Sequence, residues 1–293
     1  LAFCFHYLQN YERSIDHYKK AIDADPYDYN NWYNIGIIYN LKEDYAEAVS
    51  AFDMAIAIKD NFFIAWHNKA NTFATMGMLP EAIQSYKEAL KIKPKDADTL
   101  HNLASVYADS SMFFEAIKYY TKVIFLKPSS ADSYFGRGVC YDSIEDYKNA
   151  LADYNNALKY DRRNPDIWHA KGNLLYNMGS VDASLECYRQ SCQLDPRNME
   201  CLRDYGYILL ETLFFEHARE VFMQLIASAP DKYYGYYGMT RLLSMEKDIL
   251  SAAEYFRKAH SLNSSLEVRI FEDMGLFLED EEFSILLAAI RKD

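Results

Sequence analysis

The segment YNNWYNIGIIYNLKEDYAEAVSAFDMAIAIKDNF, residues 29–62, contains two runs in which apolar residues recur every three or four positions. This spacing places the apolar side chains on one face of a helix, so it predicts helices over Tyr29–Leu41 and Tyr45–Ile58. The polar residues 42–44 between them predict a short turn. The segment is therefore predicted to be a pair of antiparallel helices.

The same pattern recurs every 34 residues along the chain. Prolines recur at intervals of 34 or 68 residues, at Pro26, Pro94, Pro128, Pro196 and Pro230. Small residues mark it at Gly36, Ala70, Ala104, Gly138, Gly172 and Gly206. Large rings mark it at Tyr18, Phe52, Tyr86, Tyr120, Tyr154, Tyr188, Phe222 and Phe256. A fixed period without insertions, here up to about Ser264, is typical of repeat proteins whose units stack on one another.

These positions resemble the tetratricopeptide repeat, whose pattern is W-x2-L-G-x2-Y, then A-x3-F-x2-A, then P. One repeat contains Trp32, Ile35, Gly36, Tyr39, Ala48, Phe52 and Ala55. The next contains Trp66, Ala70, Phe73, Ala82, Tyr86, Ala89 and Pro94. The resemblance covers the whole chain and implies an all-α fold, a right-handed superhelical α-solenoid of antiparallel helix pairs. We expect a partial N-terminal repeat over residues 1–28, seven repeats over 29–266 and degenerate capping helices over 267–293.

Composition restricts the partners of this 293-residue chain. Its formal net charge is −12 at pH 7. Binding to nucleic acid or to an anionic membrane surface needs a surplus of Lys and Arg, which the chain lacks. It also lacks the run of about 18 apolar residues that a membrane-spanning helix requires, so we expect no membrane insertion.

Cysteine usage favours reduced thiols. The five cysteines are Cys4, Cys140, Cys187, Cys192 and Cys201. Their odd number and the absence of a C-x-x-C pair argue against a disulfide framework or a zinc site, so we expect a cytoplasmic location. Since the sequence begins at Leu1 with residues typical of the middle of a helix, we expect it to be part of a longer chain.

Motifs for catalysis are absent from the sequence. It contains no glycine-rich phosphate loop, no G-x-S-x-G elbow and no H-E-x-x-H pair. Histidines of neighbouring repeats are expected to lie on the order of 10 Å apart, too far to bind one metal ion. We therefore predict that the protein is not an enzyme and has no catalytic residue, cofactor or metal ion.

The family resemblance implies a binding surface on the first helix of each repeat. In tetratricopeptide repeats this helix lines the concave side of the superhelix. The second, fifth, sixth, ninth, twelfth and thirteenth residues of each repeat face the groove. Three groups of residues occupy these positions here, and together they are our predicted peptide-binding groove.

Asparagines form the first group. Asn34, Asn68 and Asn102 hold the sixth position of three consecutive repeats, and Asn71 and Asn173 hold the ninth. An amide both donates and accepts hydrogen bonds, so it can pair with the backbone of a peptide of any sequence. The arrangement resembles the asparagine ladder in the repeat domain of O-linked N-acetylglucosamine transferases. The alternative is that these asparagines are ordinary solvated surface residues.

Rings and carboxylates form the other two groups. The fifth position holds Tyr33, His67, His101, Phe135, His169 and Tyr237. These flat side chains could stack against a bound segment. The second position holds Asp98, Asp132, Asp166 and Glu200. These acids favour a basic or neutral partner, although carboxylates in a first helical turn also stabilise the helix itself.

The leading interpretation is a scaffold for protein–protein interaction that binds a peptide or helical segment of another protein in this groove. An alternative is that the chain is the substrate-recruiting repeat domain of a larger enzyme or signalling protein, for example a glycosyltransferase. A third interpretation is self-association through the aromatic ends.

Overall fold

The computed structural model describes residues 10–266, and this part of the chain forms fifteen α-helices and no strand. The helices are α1 (Tyr11–Ala24), α2 (Tyr29–Leu41), α3 (Tyr45–Ile58), α4 (Phe63–Thr75), α5 (Leu79–Ile92), α6 (Ala97–Asp109), α7 (Phe113–Leu126), α8 (Ala131–Ser143), α9 (Tyr147–Tyr160), α10 (Pro165–Asn177), α11 (Val181–Leu194), α12 (Met199–Glu211), α13 (Phe215–Ser228), α14 (Tyr234–Met245) and α15 (Ile249–Leu262). The two helices predicted from the first segment, α2 and α3, are confirmed with the same bounds.

Two compact units make up the chain, Leu1–Tyr160 (unit 1) and Asp161–Asp293 (unit 2). In the described part of each unit, every helix packs against the next one along the chain. The predicted all-α solenoid of helix pairs is thereby confirmed. The predicted repeat boundaries remain a prediction, and the predicted capping helices over 267–293 lie outside the described residues.

Tryptophan at the fourth position of a repeat closes the preceding turn. The indole N–H donates to the carbonyl oxygen six residues earlier. The three bonds are Trp32 to Pro26 (2.9 Å), Trp66 to Asp60 (3.0 Å) and Trp168 to Arg162 (3.0 Å). Because the acceptor is a backbone carbonyl, the bond also forms at Asp60 and Arg162, where the sequence lacks the periodic proline.

Glycine in the first helices makes room for a ring from the second helix of the same repeat. A Cβ atom at Gly36 would lie 2.7 Å from the ring of Phe52, and one at Gly206 would lie 2.5 Å from the ring of Phe222. Both rings are completely buried. The helices of a pair therefore lock together around one aromatic side chain.

Each turn between the two helices of a repeat contains a residue with positive φ. These residues are Glu43, Gly77, Ser111, Glu145, Gly179, Leu213 and Lys247, with φ between 57° and 76°. The following N–H bonds back to the carbonyl five residues earlier, for example from Asp44 to Tyr39 at 2.9 Å. A left-handed residue followed by this 6→1 hydrogen bond is the Schellman motif. It ends the first helix of each of these repeats in the same way.

Candidate functional site

Amide side chains in unit 1 form hydrogen bonds between the first helices of neighbouring repeats. Asn68 Nδ2 on α4 donates to Tyr33 Oη on α2 at 2.8 Å. Asn102 Nδ2 on α6 donates to Asn71 Oδ1 on α4 at 3.2 Å. The same Asn71 oxygen accepts from Tyr86 Oη at 2.5 Å. We call Asn34, Asn68, Asn71 and Asn102 the amide surface.

The amide surface keeps hydrogen-bonding capacity. All four asparagines are half-buried. Each amide offers two N–H donors and an oxygen with two lone pairs, and the bonds above use only part of this set. In the described structure no hydrogen bond is seen at the Asn34 side chain. Asn68, Asn71 and Asn102 are thus held in place by hydrogen bonds, and all four amides keep unused donors or acceptors.

His67 and His101 join their first helix to the next one. His67 Nδ1 lies 2.8 Å from Thr99 Oγ1, and His101 Nδ1 lies 3.0 Å from Ser133 Oγ. The Thr99 hydroxyl donates its own hydrogen to a carboxylate oxygen of Asp96 at 2.7 Å. Since a hydroxyl has one hydrogen, His67 Nδ1–H must be the donor to Thr99. Burial lowers the pKa of both histidines, which favours the neutral ring.

The predicted rings at the fifth positions are partly covered by other side chains of the protein. The Tyr33 ring lies 5.9 Å from the Phe52 ring, and the Phe135 ring lies 6.0 Å from the Tyr154 ring, centroid to centroid. His101 packs edge to face on Tyr120 at 5.4 Å. One side of each ring is therefore in contact with a second helix. Stacking of the other side on a ligand remains a prediction.

In unit 2 the equivalent positions form ionic and amide contacts. His169 Nε2 lies 3.0 Å from Asp204 Oδ2 on α12. Burial is the largest influence on His169 and opposes its protonation, but the hydrogen bond with Asp204 and the nearby negative charges together outweigh it and raise the pKa of His169. Asn173 Oδ1 accepts a hydrogen bond from Tyr188 Oη. The predicted fifth-position residue Tyr237 is buried.

The predicted acidic residues are exposed and lie in first helical turns. Asp98, Asp132 and Asp166 are the second residues of α6, α8 and α10. Asp98 Oδ1 lies 2.8 Å from Lys127 Nζ. Their position agrees with stabilisation of the helix dipole, and the ion pair offsets part of the charge of Asp98. Selection of a basic partner by these acids remains a proposal.

Sequence reasoning missed the hydroxyl partners Thr99 and Ser133. The sequence does contain one indication of these contacts. Each hydroxyl residue follows a histidine by 32 positions, in the pair His67–Thr99 and again in the pair His101–Ser133. Both hydroxyls are buried in the structure. The sequence alone does not distinguish them from residues that only fill the core.

Models of the tetratricopeptide repeat match several parts of the chain. Those described as tetratricopeptide repeat match residues 1–28, 17–50 and 165–198, and one described as TPR repeat matches residues 70–111 and 143–179. The chain belongs to the tetratricopeptide repeat family. The predicted family membership is confirmed, and the first and second helices described above are the helix pairs of tetratricopeptide repeats.

Several solved structures share the fold, and two of the three described here are named as tetratricopeptide repeat proteins. A tetratricopeptide repeat protein from Parabacteroides merdae is 19% identical with a TM-score of 0.63, over 86% of this chain and 99% of that one. A structure of the APC/C hetero-tetramer Cut9–Hcn1 is 18% identical with a TM-score of 0.60, over 83% and 48%. YrrB, described as a TPR protein with an unusual peptide-binding site, is 18% identical with a TM-score of 0.55, over 63% and 95%. No curated protein sequence matches the chain significantly.

Two other types of site are absent from residues 10–266. No group of three or more His, Cys, Asp and Glu side chains there is arranged to hold a metal ion. No helix in the same part is long and apolar enough to cross a membrane.

Proposed function

We propose that this tetratricopeptide repeat protein is a scaffold for protein–protein interaction, and that the amide surface of unit 1 binds an extended segment of a partner. The observation that carries the proposal is the hydrogen-bonded arrangement of half-buried amides on α4 and α6, to which Asn34 on α2 adds a further half-buried amide. Asn68, Asn71 and Asn102 are oriented by the protein and still have free donors and acceptors. A preoriented group loses little conformational entropy on binding.

A polypeptide backbone is the ligand that fits this surface best. It presents N–H and C=O groups at regular intervals in any sequence, and an amide can pair with both. Side-chain selection would then come from the half-buried rings at the fifth positions and from the exposed acids. With a net charge of −12 on the chain, a basic or neutral segment is favoured. The peptide-binding site named for YrrB, a protein of the same fold, supports a peptide as ligand.

The test uses peptides selected on the immobilised chain from a random display library. Binding of a selected peptide is measured by isothermal titration calorimetry. We expect Asn34→Ala to weaken affinity by up to about tenfold, which corresponds to about one hydrogen bond. Because the Asn34 side chain makes no hydrogen bond in the described structure, this variant should fold with unchanged stability.

Asn155→Ala is the matched control, since Asn155 is an exposed asparagine on α9, a second helix of unit 1. It should leave affinity unchanged. The triple variant Asn34→Ala, Asn68→Ala, Asn102→Ala should abolish binding while its circular dichroism stays helical. Full affinity in the folded triple variant would refute the proposal.

A further inference from the structure

Two thiols of unit 2 lie in direct contact. Cys192 Sγ, near the end of α11, is 2.8 Å from Cys201 Sγ, in the first turn of α12. A disulfide bond is about 2.05 Å long, so a small movement of either side chain would bring the sulfurs to bonding distance. Both residues are free thiols in this structure.

The contact follows from the repeat architecture. At the junction between two repeats, residues nine positions apart can share one buried cluster, as Ile56 and Ala65 do. Cys192 and Cys201 hold these two positions at the junction of α11 with α12. Cys201 also replaces the hydroxyl residue that Thr99 and Ser133 provide elsewhere. The packing of the helices therefore sets one sulfur opposite the other.

One of the two cysteines borders a surface cavity. Cys201 is completely buried. Cys192 is half-buried and lines a surface cavity of about 320 Å³ with Arg189, Tyr205 and His217. A small molecule in this cavity could reach Cys192, while Cys201 remains behind it.

We propose that Cys192 and Cys201 form a redox modification site, at which a small hydroperoxide such as hydrogen peroxide oxidises the pair to an intramolecular disulfide. The hydrogen bond between the two sulfurs, together with burial, raises the pKa of Cys192, and the same bond lowers the pKa of Cys201, so the first proton is lost from Cys201. Transfer of the remaining proton from Cys192 to Cys201 along this bond then places the thiolate at Cys192, which borders the cavity.

The step balances as two reactions. The Cys192 thiolate attacks a peroxide oxygen, the O–O bond breaks, and the leaving hydroxide takes a proton from solvent to become water, which leaves a sulfenic acid on Cys192. The Cys201 sulfur then attacks Cys192 Sγ, the S–S bond forms and the S–O bond breaks. The leaving hydroxide takes the Cys201 proton as a second water. The two thiols lose two electrons in total, and one peroxide is reduced to two waters.

The disulfide would join α11 to α12 covalently and so fasten the junction between two repeats. Because a crosslink restricts the unfolded chain, it should raise the midpoint of thermal unfolding by roughly 5 °C. The reduced protein would keep the looser junction.

Peptide mapping of the full chain tests the proposal directly. Trypsin cleaves after Arg189, Arg197 and Arg203, so Cys192 and Cys201 fall in separate peptides, residues 190–197 and 198–203. After exposure of the folded protein to hydrogen peroxide and alkylation of the remaining thiols, we expect these two peptides linked, at the mass of their sum less two hydrogens. Dithiothreitol should separate them.

Variants distinguish this pair from general oxidation. Cys187→Ser, also on α11 and buried, should leave the linked peptides and the thermal shift unchanged. Cys201→Ser should abolish the link and leave a Cys192 sulfenic acid that dimedone traps. The proposal is overturned if folded protein gives no link, if the link appears only in guanidinium chloride, or if Cys187 is crosslinked equally.

Discussion

At the scale of single residues, Leu213 occupies a position that favours glycine. Its φ is 63°, and the equivalent residues one repeat and four repeats earlier are the glycines Gly179 and Gly77. A left-handed conformation brings the Cβ atom of an L-residue close to the following carbonyl oxygen. The Leu213 side chain is 63% exposed, so burial offsets little of this strain.

We therefore predict that Leu213→Gly raises the free energy of unfolding by about 1 kcal/mol, because glycine adopts this conformation without strain. Urea denaturation followed by circular dichroism measures the change. The reverse exchange, Gly179→Leu, is the control and should lower stability by a similar amount, since no atom lies within 4 Å of an added Cβ there. A loss of stability in Leu213→Gly would contradict the prediction.

At the scale of helices, a buried ion pair joins α8 to α9. Arg137 Nε and Nη2 donate to the two carboxylate oxygens of Asp153 at 2.7 and 2.8 Å. The Asp153 side chain is only 5% exposed. The hydrogen bonds to Asp153 raise the pKa of Arg137, so its charge is retained in the folded protein.

We predict that Asp153→Ala lowers the free energy of unfolding by about 3–5 kcal/mol, because it leaves the Arg137 charge buried without its partner. The matched control is Asp16→Ala, which removes the partner of Lys20 at a 2.7 Å contact where the two side chains are 59% and 67% exposed. A pair exposed to this degree contributes little to the free energy of unfolding. Equal losses in the two variants, measured by urea denaturation, would show that burial does not govern the effect.

Contacts between neighbouring first helices also differ in their response to pH. The pKa of His67 and of His101 is lowered by burial, whereas Asp204 raises that of His169. A histidine in the unfolded chain has a pKa of about 6.5. Because the folded pKa of His67 and of His101 lies below this value, their contribution to the free energy of unfolding is lost as pH falls below about 6.5. Stability from protonated His169 is present below that value and is lost as pH rises through its folded pKa.

An NMR titration of the imidazole resonances checks this assignment. We expect the titration midpoints of His67 and His101 to lie below that of histidine in a model peptide, and the midpoint of His169 to lie above it. Asp204→Asn should lower the pKa of His169 and leave His67 and His101 unchanged. A common titration midpoint for all three would contradict the prediction.

At the scale of the whole molecule, the 34-residue register predicted much of the fold. The bounds of α2 and α3 were predictable because apolar spacing and the polar turn are local features of the sequence. The positions of the amide surface could also be listed from the register. Whether the surface binds a peptide is still a proposal.

The sequence by itself determined the helix pairs and the family, since each rests on residues close together in the chain and on one repeated spacing. Tertiary structure decided which side chains meet. Tyr33 and Asn68 are 35 positions apart, Asn71 and Asn102 are 31 apart, and His67 and Thr99 are 32 apart. A pattern of period 34 does not distinguish these offsets, because each depends on the rotation and distance of one helix relative to the next. The contact of Cys192 with Cys201 arose in the same way, from the packing of two helices at a junction.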